Sequence, residues 1–304
     1  MEVIRKKLAD GVHLTYLPAR KFKTSLLSAQ FVTPLRQETA SANALLPAVL
    51  RRGTVTCPDM GSLAAKLDRL YGASIDYTVR KKGENQCVGF VASLIDDSFA
   101  PGGEKLLEPV AELLGELICD PATERGRFVP AYFESEKNNL LDAIRSLIND
   151  KRDYADRRLM QELCADEPYG VSRLGSEQTA EKLQPKKLFN QYRELISTSQ
   201  LELFYSGSAD IRRVESALAS AFSALPRKTI REVQPAGLHP RREEVKKIID
   251  LNYRPKNDVK PAFLFCCFSG LRFSDARCPG GKHRKAHRRK APASNDGRHN
   301  PACR

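Results

Sequence analysis

The stretch that decides the fold is Thr39-Ala-Ser-Ala-Asn-Ala-Leu-Leu-Pro-Ala-Val-Leu-Arg-Arg-Gly-Thr54. Leu45, Leu46, Val49 and Leu50 recur at helical spacing, and Gly53 stands where a helix would end. The pattern predicts a buried helix.

Working outward, Cys57 to Gly72 reads as a second short helix, with Asp59 as N-cap and Leu63, Leu67 and Leu70 on one face. From Ala73 to Leu94 apolar and polar residues alternate on both sides of Lys81-Lys82-Gly83-Glu84-Asn85, which predicts an antiparallel hairpin. Arg80 to Lys82 are then expected in a solvated turn. Glu104 to Asp120 is amphipathic, with Pro109 near its first turn, and a longer helical region spans about Val129 to Glu162. Ser176 and Pro185 each open a further helix, and Gln200 to Asp210 is a strand followed by a helix over Ile211 to Pro226. Upstream, Gly11 to Pro18 and Thr24 to Leu35 read as two strands joined across Ala19 to Lys23. The fold class expected is α/β of the α+β type, an antiparallel-rich sheet covered by helices.

The Thr39–Thr54 stretch resembles the signature helix of the pitrilysin/insulinase metallopeptidase family, which ends in the same basic-Gly-Thr and normally carries the inverted zinc motif H-x-x-E-H. Asp166 to Leu183, D-E-P-Y-G-V-S-R-L-G-S-E-Q-T-A-E-K-L, resembles the family's H-P-Y-G-R-P-V-L-G-T-E-E-S-I segment, with Pro168, Tyr169, Gly170, Leu174 and Gly175 matching. Q-L-E-L-F-Y-S-G-S-A-D resembles its N-x-x-L-x-V-x-G-D-x-D strand. The segments Thr39–Thr54 and D-R-L-Y-G-A (68–73) look most like the non-catalytic Firmicute members associated with elongation factor P 5-aminopentanol modification. In this family an inactive subunit often pairs with an active one. The resemblance thus implies a scaffold or non-catalytic subunit, with an active family member or a second copy as partner and a peptide or protein as substrate of the assembly.

Laid on the zinc motif, the two histidine positions are Ala44 and Ala48 and the glutamate position is Pro47. In H-x-x-E-H two imidazoles one turn apart bind Zn²⁺ and the glutamate acts as general base on its water. Alanine offers no lone pair and proline no carboxylate. The family's third ligand comes from a later helix with glutamates seven residues apart, and here that spacing joins Glu136 to Ala143. Glu136 is read as a solvated helix residue. His13 is read as a strand residue without a role. No catalytic, cofactor-binding or metal-binding residue is therefore assigned, no cofactor is expected, and the chain is expected not to be an enzyme. The rival readings are an active zinc metalloendopeptidase subunit and a nucleic-acid binder acting through a basic tail.

The net charge is +13, of which ten Lys/Arg against two Asp in residues 271–304 supply +8, leaving +5 for the remainder. The basicity belongs to the tail, so nucleic acid is not expected as a partner of the body. Eight cysteines without an export signal suggest reduced thiols and a cytoplasmic location, and no stretch is apolar enough to span a membrane. Residues 1–228 are expected to form one pitrilysin-like domain, with 229–252 as linker and start of a second. Residues 253–304 fit three readings: a basic RNA-binding arm, a small metal site on Cys278, His283 and His287, or an out-of-frame replacement of the second domain. The abrupt composition change and the missing periodicity favour the last.

Overall fold

The computed structural model describes residues 3–231 and Val233. The expectations for the rest of the linker and for 253–304 lie outside the described residues. The chain opens with β1 (Ile4–Ala9), β2 (Val12–Pro18) and β3 (Thr24–Pro34), followed by α1 (Gln37–Leu50) and α2 (Met60–Arg69). A hairpin of β4 (Ser74–Lys82) and β5 (Asn85–Ile95) leads to α3 (Leu107–Cys119), a two-residue ribbon of β6 (Thr123–Glu124) and β7 (Arg127–Phe128), then α4 (Pro130–Ser146) and α5 (Lys151–Leu163). The described part ends with α6 (Glu177–Glu181), α7 (Pro185–Thr198), β8 (Gln200–Gly207) and α8 (Ile211–Ala221).

Six strands form one sheet in the order β1-β2-β8-β3-β5-β4, in which β2–β8 is the parallel pair and every other pair is antiparallel. The two N-terminal strands read from the sequence are present, but they do not lie side by side. β8 inserts between them because its alternation, with Leu201, Leu203 and Tyr205 all inward, suits a central strand. β1 is an additional strand that escaped the sequence reading. Its Arg5-Lys6-Lys7 run hides the period, and those cations pair instead with Glu202, Glu215 and Asp10.

Leu27, Ala29, Phe31, Phe90 and Leu203 form a continuous buried face, over which the helices pack into one core. The hairpin turn is Gly83-Glu84, with Gly83 at φ +56°, the left-handed value that a two-residue hairpin with glycine at its first central position needs. Asp59 caps α2 as expected, in a reciprocal capping box with Ser62, and Ser176 caps α6 in another with Thr179. The single helical region expected from Val129 to Glu162 is instead two helices. Asp150 accepts from the backbone N–H groups of Arg152 and Asp153, so a new helix starts there and the run breaks at 147–149. Cys57 and Cys87 are buried thiols, and burial pushes the Cys119 thiol up to about 11.

Candidate functional site

The site is the inner end of α1 with the helices that face it. Every residue from Ala40 to Leu50 is buried, so α1 has no solvent face in that span. Ala44 is 4 % exposed and Ala48 7 %. Pro47 sits inside the helix, where it removes the N–H that would donate to Asn43 and ordinarily costs about 3 kcal/mol. The helix persists because Pro47 packs in an apolar seam with Phe31, Leu50, Val88 and Phe90. At the three motif positions the structure therefore places two methyl groups and a pyrrolidine ring in the core. Among the described residues no three His, Cys, Asp or Glu side chains come together as a metal cluster.

Glu136 corrects the sequence reading. It is 8 % exposed and faces the end of α1, with Oε1 3.4 Å from Arg52 Nε, while Asn139 Nδ2 donates to its Oε2 at 3.1 Å. Arg52 also donates to Ser135 Oγ at 3.1 Å, and its guanidinium lies 5.4 Å from the Tyr132 ring centroid. A carboxylate is withdrawn from water only with a cation and a donor at hand, and the turn after α1 and α4 supply them. Ala143, seven residues on, is exposed. Glu136→Ala is expected to lower stability by about 2 kcal/mol. This is less than the 3–5 kcal/mol of a fully buried pair, because the Arg52 side chain keeps 27 % of its exposure. Urea denaturation checks the value, and a loss below about 0.5 kcal/mol, typical of a surface residue, would mean that the ion pair is only incidental.

Beside the motif positions lies a polar network that the sequence did not announce. Asn43 Nδ2 donates to Gln86 Oε1 at 3.1 Å, and Gln191 Nε2 donates to Asn43 Oδ1 at 2.8 Å. Gln86 Nε2 donates both to Ala40 O at 3.0 Å and to Arg173 O at 2.7 Å. The network ties α1, β5, α7 and the loop before α6 together. Asn43 within an otherwise apolar run was the one available signal.

The basic hairpin end is not simply solvated. Lys81 Nζ donates to Tyr169 O at 2.8 Å and lies 4.3 Å from the Tyr169 ring centroid, so it binds the Pro168–Gly170 turn. His13 faces Gln200 and Glu202 from β2, at 3.3 and 3.7 Å. Asp96 lines a polar cavity of about 260 Å³, and its carboxylate accepts from Ser208 Oγ, Ser98 Oγ and the Ser98 N–H. Burial opposes its ionisation, and the bonds from Ser208 and Ser98 outweigh this and hold its carboxyl below the usual range.

A curated relative, "Probable inactive metalloprotease YmfF" of Bacillus subtilis, is 32 % identical over 217 residues, which are 71 % of this chain and 51 % of the relative. The chain is thus a homologue of that relative and is similar to the pitrilysin/insulinase (M16) metallopeptidase family. It spans about half the length of that relative. Two solved structures share the fold. A conserved protein from Enterococcus faecalis V583 superimposes with a TM-score of 0.71 at 23 % identity, covering 80 % of this chain and 57 % of its own. A peptidase M16 inactive domain from Pseudomonas fluorescens gives 0.61 at 17 %, covering 77 % and 53 %. No family model matches the chain. The chain thus departs from the family's zinc motif at Ala44, Pro47 and Ala48, and its described part contains no helix long and apolar enough to cross a membrane.

Proposed function

We propose that this chain is a non-catalytic M16 subunit that acts by binding other proteins rather than by hydrolysing peptides. The observation that carries this reading is the packing of Ala44, Pro47 and Ala48 into the core on one turn of α1. A zinc peptidase needs two imidazoles and a carboxylate there, together with room for a metal-bound water. The name of the Bacillus subtilis relative supports the same reading. The proposed partner is an active family member that carries the missing histidines, with self-association as the alternative. The connection to elongation factor P 5-aminopentanol modification belongs to this proposal and rests on the resemblance of residues 39–54 and 68–73. So does the division at residue 228.

Tagless full-length protein, exposed to equimolar zinc and desalted, is expected to retain far less than one zinc per chain by elemental analysis. Near-stoichiometric zinc that persists after deletion of residues 271–304 defeats the non-catalytic reading. Co-expression with a histidine-bearing family member tests the subunit role, because a chain that never co-purifies with one is not its scaffold.

A further inference from the structure

β4 is an end strand of the sheet, and its outer edge is occupied by side chains from elsewhere in the chain. Lys82 and Asn85 flank the two-residue turn and so form the closing hydrogen-bonded pair of the β4–β5 ladder. Counting back by twos, the backbone groups of Ile75, Tyr77 and Val79 point away from β5, off the sheet. An open row of this kind is a template on which an extended peptide adds as a further strand. Here Arg51 Nε donates to Ile75 O at 2.7 Å, and Arg173 Nη1 donates to Val79 O at 2.9 Å. The two carbonyls are about 13 Å apart along the strand, at the usual rise per residue, with Tyr77 alone between them. A backbone running along β4 would have to displace both guanidinium groups.

We propose that Arg51 and Arg173 close the β4 edge to strand addition, so that the chain meets its partners through side-chain surfaces and does not take an extended peptide into its sheet. The anchoring is two-sided. Arg51 follows directly on α1 and is also held by Asp76 at 3.3 Å. Arg173 is placed by its own carbonyl, which accepts from Gln86, and the preceding turn is pinned by Lys81. Among the described residues Arg173 has no carboxylate partner, and it pays desolvation for a hydrogen bond to a neutral carbonyl. Such a guanidinium is a poor device for stability and an effective one for blocking an edge. The inference goes beyond the non-catalytic reading and does not depend on it, because zinc content and peptide binding are measured separately.

The test uses the full chain and a fluorescein-labelled eight-residue peptide of alternating threonine and valine, followed by fluorescence anisotropy. The unaltered chain is expected to show no saturable binding. Arg51→Leu/Arg173→Leu is expected to bind at least about tenfold more tightly. Adding Tyr77→Pro should return it to the original level, because proline there removes an outward N–H and no ladder bond. Equal binding by the unaltered and doubly substituted chains overturns the proposal, as does a gain that survives Tyr77→Pro. If the double variant loses its near-ultraviolet circular dichroism, Tyr77→Pro in the otherwise unaltered chain decides. No change in anisotropy supports a closed edge, and loss of measurable peptide binding overturns it.

Discussion

Gln86→Leu is expected to lower stability by about 3 to 5 kcal/mol, because a fully buried donor pair disappears while its acceptors stay behind. Ala40 O and Arg173 O would each lose the bond from Gln86 Nε2, and Asn43 Nδ2 would lose its acceptor. Two orphaned groups, Arg173 O and Asn43 Nδ2, at about 1–3 kcal/mol each set the upper bound, since Ala40 O keeps the intrahelical bond from the Ala44 N–H, and partial relaxation brings the sum below it. For a domain of this size the midpoint should fall by on the order of 10 °C. The apolar gain from leucine does not offset this, since Gln86 is already out of water and one side chain of similar size replaces another. Asn43→Leu probes the same network from α1, and the two substitutions should be non-additive by about 1 kcal/mol or more. Thermal melts of the two single variants and the double variant supply the cycle. Strict additivity would show that the carboxamides act independently and that the network is only a description.

The network also shows where the sequence stops being legible. α1 could be read from its own residues, since an apolar run closed by glycine has few other uses, and Ala44, Pro47 and Ala48 could be placed on it by position alone. The hairpin was legible from the Gly83 turn and the caps from Asp59 and Ser176, all local signals. Non-local facts were not legible. That β8 separates β2 from β3 depends on a strand about 170 residues downstream. Glu136 looks like any helix carboxylate until Arg52, 84 positions earlier, is seen beside it. Lys81 likewise reads as a surface charge, and only the approach of the 169–173 segment to β4 gives it an acceptor and brings Arg173 to Val79 O. Polar residues deceived the reading most, because their burial depends on partners that no local window contains.

Gly115→Val is the second substitution with a large expected effect, and it probes how α8 is seated against α3. A Cβ at Gly115 would lie 2.3 Å from Ala221 O and 2.9 Å from its carbonyl carbon. Those are backbone atoms, which cannot rotate away, so α8 would have to retreat as a unit. Intrinsic helix propensity favours replacing glycine with alanine by about 1 kcal/mol. Even for Gly115→Ala the clash should outweigh that gain, because moving α8 loosens Val214 and Leu218, both fully buried, and stretches the bidentate contact of Arg213 with Glu108 at 2.6 Å. Arg213 also bonds Asp97, so the displacement reaches the turn after β5. The expected loss is about 2 kcal/mol for alanine and at least about 3 kcal/mol for valine, at the upper end of overpacking costs. Ala221→Gly tests the cause. It removes a side-chain contact at 3.2 Å and leaves the carbonyl where it is, so it should rescue Gly115→Ala only slightly. Near-complete rescue by Ala221→Gly in urea denaturation would place the obstruction in the methyl group and refute the backbone argument.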